Sequence, residues 1–147
     1  MIPQHVLDHL ELREGRVNRV YEDSEGYATA GVGHLLTEHE VDSYHIGDPV
    51  SDSVIDEWLL KDTEKAWLAA YNQSKGIQCP ELQEALFHVC YQLGTGWNLI
   101  HKKTWSLLKE REYQAAAMEA ADSLWNDQTP IRVIDFQIAC LQQALRA

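Results

Sequence analysis

Between Pro3 and Glu14 the apolar residues Val6, Leu7 and Leu10 recur at the interval of a helix with one covered face. Pro3 stands where a first-turn proline is tolerated, and Gly15 where a helix stops. The period then changes. Val17, Arg19 and Tyr21 alternate with Asn18 and Val20, Ser24-Glu25-Gly26 makes a turn, and Tyr27 to His34 alternates again. A hairpin or small sheet is predicted. Thr37 to His45 is polar, one short helical turn or a loop, and Gly47-Asp48-Pro49 breaks the pattern. Ser51 reads as an N-cap with Asp52 in the positive first turn of a long helix. Ile55, Trp58, Leu59, Ala66, Trp67 and Ala70 form its apolar stripe until Ser74-Lys75-Gly76. Its length, about 20 residues or roughly 30 Å, is enough to join two lobes.

Pro80 opens the next helix, with Leu82, Leu86, Phe87, Cys90 and Leu93 on one face and Gly94 as its stop. Thr95 to Asn98 reads as a turn, Trp105, Leu107 and Leu108 as a short helix, and Tyr113 to Trp125 as an alanine-rich helix. After Asn126-Asp127-Gln128-Thr129, Pro130 begins a last helix whose apolar face is Ile131, Ile134, Ile138, Leu141 and Leu145. Helices around one small sheet make the expected class α+β.

The 147 residues suit one domain, or two lobes around a shared core. No apolar run approaches the roughly 20 residues of a membrane span, and the first ten residues show no secretory signal. Cys79, Cys90 and Cys140 are odd in number and match no zinc spacing, so they read as reduced thiols serving packing. The histidines His5, His9, His39, His45, His88 and His101 form no ligand set, and no metal is expected. The net charge of −11 and the absence of a basic stripe with interleaved aromatics exclude nucleic acid as a partner.

The chemistry concentrates in the stretch from Leu12 to Thr37. Glu14 falls in the last helical turn, beside unpaired carbonyls and the negative dipole end, where a carboxyl holds its proton more tightly. That suits a general acid. Asp23 enters the turn and Thr29 lies on the returning strand, so a hairpin brings those two together with Glu14 facing them. Two carboxyl groups and a hydroxyl are the parts a glycosidase needs.

The run E-G-R-V-N-R-V-Y-E-D-S-E-G-Y-A-T-A-G-V-G-H-L-L-T resembles the catalytic stretch of the phage-type lysozymes, family 24 of the glycoside hydrolases, in its T-even branch. That family spaces a Glu, eight residues, an Asp, five residues and a Thr, which here fall on Glu14, Asp23 and Thr29. The resemblance continues in Y-Q-L-G (Tyr91 to Gly94) and W-N-D-Q-T-P-I-R (Trp125 to Arg132) and covers nearly the whole chain. It implies a single domain over 1–147 with a small β-containing lobe over about 12–60. A helical lobe of about 60–147 plus the N-terminal helix completes it, joined through the long helix.

The resemblance further implies an endolysin that hydrolyses the β-1,4 bond between N-acetylmuramic acid and N-acetylglucosamine, with inversion, without cofactor. Glu14 would be the acid, and Asp23 with Thr29 would hold the water. Gln92 and Arg132 match residues flanking the catalytic glutamate. Leu35, Tyr91, Thr104 and Glu119 match saccharide-contact positions, Glu119 replacing a neutral residue. His34 matches a histidine that pairs with an aspartate of the long helix, here Asp62, and so would be charged in the fold. The implied partner is peptidoglycan, met by a monomer. The enzyme would wait in the host cytoplasm until a holin or similar opens the way to the wall. An acidic wall hydrolase must lean on groove contacts, since its own field does not draw it to an acidic glycan. Two other readings share the fold: a lytic transglycosylase, and a wall-binding module without chemistry.

Overall fold

The computed structural model describes residues 2–77 and 79–146; Met1 and Ala147, the ends of the expected domain, and Gln78 lie outside the described residues. The chain forms two compact units, Met1–Glu64 and Lys65–Ala147, with the division falling inside the long helix. The fold is α+β and lysozyme-like, mostly helical with one small antiparallel sheet. No helix among the described residues is long and apolar enough to cross a membrane.

In the first unit α1 (Gln4–Glu14) buries Val6 and Leu10 and ends at Gly15, whose positive φ of 77° a glycine adopts without strain. Pro3 is the N-cap residue of this helix, one position before its first turn. A three-stranded antiparallel sheet follows in the order β1 (Val17–Glu22), β2 (Ala28–Gly31), β3 (His34–Leu35). The alternating run from Tyr27 to His34 is thus two strands, folded back at Val32-Gly33, with Ala30 opposite His34. The polar segment is a helix, α2 (Glu38–Ser43), closed by a reciprocal capping box between Thr37 and Glu40. Arg16 gathers three carboxylates. It donates to Glu11 at 2.8 Å, to Asp52 at 2.9 Å, and to Asp56, linking α1 to the first turns of α3 (Asp52–Gln73).

In the second unit α4 (Pro80–Leu93) buries Leu82, Leu86, Phe87 and Cys90 as its spacing predicts, and His88 and Val89 with them. The turn read over Thr95 to Asn98 runs into a single helical turn, α5 (Trp97–Ile100), and α6 spans Lys102–Lys109. The alanine-rich helix is shorter than its composition suggests. It breaks at Asp122-Ser123 into α7 (Tyr113–Ala121) and α8 (Leu124–Gln128). Ser123 enforces the break by donating to the Ala120 carbonyl at 2.6 Å and accepting from the Asn126 N–H as the cap of α8.

The last helix, α9 (Pro130–Arg146), packs on α4, α7 and α8, but not with the face expected. Arg132, Val133, Phe136, Ala139 and Cys140 are buried, while Ile131, Ile134, Ile138, Leu141 and Leu145 are exposed. The helix is apolar on both sides. Periodicity alone cannot choose between two such faces, and the side carrying the aromatic Phe136 is the one the neighbouring helices cover.

Candidate active site

Glu14 is the last residue of α1, and the fold of the sheet decides what it meets. The two-residue return between β2 and β3 places Gly33 at φ +67°, a conformation that favours glycine. A Cβ there would stand 3.0 Å from Glu14 Oε2 and 3.6 Å from its Cδ. The carboxyl group therefore rests against the bare Cα of this turn. Gly33 is required twice, for its backbone and for the space it leaves.

Asp23 follows the last residue of β1 and is locked by its own turn. Its Oδ1 accepts from the backbone N–H groups of Glu25 at 2.9 Å and Tyr27 at 2.8 Å. No hydrogen bond to Oδ2 is made among the described residues, so one carboxylate oxygen sets the geometry and the other is open to a water. Thr29 stands opposite Tyr21 in the β1–β2 ladder and is 4 % exposed. Its hydroxyl donates to the Tyr27 carbonyl at 3.1 Å, the same oxygen that the Asp23 N–H reaches at 2.9 Å. With its proton committed there, the Thr29 oxygen is left as an acceptor.

Tyr21 ties these groups together. It lies two residues before Asp23, near the end of β1. Burial pushes its phenol pKa up from 10.0, and the negative charges of Asp23 and then Glu14 push it further in the same direction. Both carboxylates thus act on one phenol.

A second cluster holds the sheet to the helices of this unit. His34 Nδ1 lies 2.7 Å from Asp62 Oδ2, and its Nε2 lies 2.8 Å from Glu40 Oε1. The ring stacks on Trp58 with centroids 4.4 Å apart. Burial works against the charged imidazole, but hydrogen bonds and charges from Asp62 and Glu40 outweigh it, and the pKa is raised. Asp62 is the partner the resemblance implies; Glu40 is a second one that it does not.

Residues 11–134 match the family model described as phage lysozyme. The chain belongs to the phage lysozyme family. Two similar proteins come from Dictyostelium discoideum. "Probable T4-type lysozyme 1" is 26 % identical over 153 residues, covering 86 % of this chain and 88 % of the relative. "Probable T4-type lysozyme 2" is 28 % identical over 147 residues, covering 85 % and 86 %. As a phage lysozyme the chain is a glycoside hydrolase whose substrate is peptidoglycan.

The remaining candidate residues of this phage lysozyme lie apart from the first unit's cluster in sequence, except Leu35, which is 55 % exposed on β3. In the second unit, Tyr91 is half-buried and its ring lies 6.4 Å from that of Phe87. The Gln92 amide is spent on structure: Nε2 donates to Thr129 at 2.8 Å and Oε1 accepts from the Trp125 indole at 3.1 Å. Thr104 is buried at 4 % exposure, whereas Glu119 is half-buried and pairs with Lys103 at 3.3 Å. Arg132 is not the surface charge that a position near a helix start suggests. It is buried, 3.2 Å from His88 Nδ1 and 3.9 Å from Asp135.

Three residues that pack against the candidate residues escape a reading of the sequence. Tyr21 was accessible through alternation, two positions before Asp23. Glu40 carries the Thr-x-x-Glu signature of a capping box. Gly33 gives no signal of its role, because nothing local says that Glu14 will lie against it.

Proposed function

We propose that this lysozyme cleaves the β-1,4 bond between N-acetylmuramic acid and N-acetylglucosamine with inversion. Glu14 protonates the leaving oxygen. Asp23 Oδ2 and the Thr29 oxygen accept the two protons of a water, turning its lone pair toward the anomeric carbon from the opposite face. The observation that supports the reading is the Glu14 carboxyl held against the bare Cα of Gly33, together with the Tyr27 carbonyl that Asp23 and Thr29 share. Leu35, Tyr91, Gln92, Thr104, Glu119 and Arg132 belong to the same proposal as groups that shape or contact the glycan site. So does a role as an endolysin, reaching the wall from the host cytoplasm through a holin.

Digestion of purified sacculi tests it. The parent should clear the suspension and release muropeptides with reducing ends, the first-formed anomer being α, while Glu14→Gln leaves turbidity unchanged at an unchanged melting temperature. Anhydro-muramic ends would replace the hydrolase reading by a lytic transglycosylase. Binding without turbidity loss in the parent would leave a wall-binding module. An active Glu14→Gln would remove Glu14 as the acid.

A further inference from the structure

The turn that ends α3 and the C-terminal end of α6 share a cavity of about 240 Å³, all of whose lining belongs to the second unit. Leu86 and Leu108, both buried, and the half-buried Trp105 give it apolar walls. Lys75, Lys109 and Arg111, all exposed, also line it, and no aspartate or glutamate does. Glu110 and Glu112 flank Arg111 along the chain, yet among the described residues none of the three cations has a carboxylate oxygen within 4.0 Å. The chain carries 23 acidic residues against 12 lysines and arginines. Its solubility needs no further cations, so three left unpaired around one cavity call for a reason.

Two of the cations are steadied without being neutralised. Lys109 Nζ lies 5.7 Å from the centre of the Trp105 ring, and Lys75 Nζ 5.8 Å from that of Tyr71. Arg111 is set by its backbone. Its N–H donates to the Leu108 carbonyl at 3.0 Å and that of Glu112 to the Leu107 carbonyl at 2.8 Å, the paired bonds that close a helix on a left-handed residue. Glycine is the usual residue there. Arg111 takes the position at φ 62°, the one non-glycine with positive φ among the described residues. The fold accepts that strain and places a guanidinium at the cavity.

We propose that this cavity binds the phosphomonoester of a small polyol or sugar. Two ammonium groups and a guanidinium suit a dianion with three terminal oxygens, whereas a carboxylate offers one charge and two oxygens in a plane. The apolar walls take the short carbon body that carries the phosphate. The volume lies below the roughly 300–1,000 Å³ of a site for a drug-sized ligand, so one small unit fits and a stretch of glycan does not. A single exposed cation gives an anion little, but three around one partly dry cavity act together. The proposal does not rest on the hydrolytic reading, since none of the proposed catalytic groups lines the cavity.

An amide-resolved NMR titration of the full chain with glycerol 3-phosphate tests it, at constant ionic strength and about pH 7.5, where the monoester carries nearly two charges. Shifts should saturate at residues 75–77 and 105–111, with a Kd below about 1 mM. Arg111→Gly removes the guanidinium while suiting the left-handed backbone. It should therefore weaken binding about tenfold or more with no fall in melting temperature. Lys109→Gln should lose as much. Glycerate, a carboxylate on a similar carbon body, should bind about tenfold more weakly than the phosphate ester, and sodium phosphate more weakly too, since it leaves the apolar walls uncovered. Shifts that fail to saturate, or that saturate at other residues, overturn the proposal. So does an Arg111→Gly chain that binds like the parent. Glycerate or inorganic phosphate binding as tightly as the ester would overturn the assignment to a phosphomonoester.

Discussion

Replacing His34 by glutamine should destabilise the fold by an amount that depends on pH in a defined way. The parent ring makes two contacts with carboxylates, 2.7 Å to Asp62 and 2.8 Å to Glu40, from a side chain only 11 % exposed. The carboxylates are 35 % and 21 % exposed, so solvent screens part of each interaction and the low end of the charged hydrogen-bond range applies. That gives roughly 1–1.5 kcal/mol per contact, or about 2–3 kcal/mol for both. Loss of the stack on Trp58 adds about 0.5–1 kcal/mol that does not vary with pH.

The titrations fix the window. His34 has its pKa raised above 6.5 in the fold, so its contribution is complete below 6.5 and lost as pH rises through the higher native value. For Glu40, burial pushes the pKa up, but the Thr37 N–H and the His34 ring outweigh it and hold the pKa below 4.5. Its contribution is present above 4.5 and lost as pH falls through the lower native value. Both are complete between 4.5 and 6.5. Thermal melts of parent and His34→Gln across pH 4 to 9 should therefore differ most near pH 5.5, by roughly 8–12 °C at about 3 °C per kcal/mol. Once the pH passes the native His34 value, the gap should shrink toward the stack and the one hydrogen bond that a neutral ring still donates. A gap of constant size across that range would refute the reasoning, and so would a Glu40→Gln variant that leaves the profile of the parent intact.

The groups closest to one another in sequence were the most legible. Glu14, Asp23 and Thr29 share one short stretch, and the helix stop and the hairpin that carry them were readable because both signals are local. His34 and Asp62 are far apart in the chain, and only the resemblance joined them. Glu40 was readable from its capping signature but hidden in a segment too polar to show a period. The α7–α8 break was masked by alanines that favour helix on either side of Ser123, so the competing side-chain bond to the Ala120 carbonyl won unseen. α9 shows the limit most clearly. An apolar period says that a face can be covered, but not which neighbour covers it.

Gly33→Ala should reduce hydrolysis more than tenfold, since its Cβ would displace Glu14 Oε2, and the left-handed backbone should cost about 1–2 kcal/mol in denaturant titration. Arg16→Met should lower the melting temperature by a few degrees at low ionic strength, an effect that shrinks in high salt because its three carboxylate partners are 42–73 % exposed. A salt-independent loss would assign Arg16 to packing. In the proposed mechanism Asp23 has two duties that two substitutions separate. Asp23→Asn keeps an oxygen for the Glu25 and Tyr27 N–H groups, so stability should stay within about 1 kcal/mol of the parent. Hydrolysis should nonetheless fall by orders of magnitude, because an amide no longer takes up the proton of the attacking water. Asp23→Ala loses the turn as well and should cost about 1–2 kcal/mol more. If the asparagine variant retained parental turnover of sacculi, Asp23 would be a turn residue alone and the water would have to be held elsewhere.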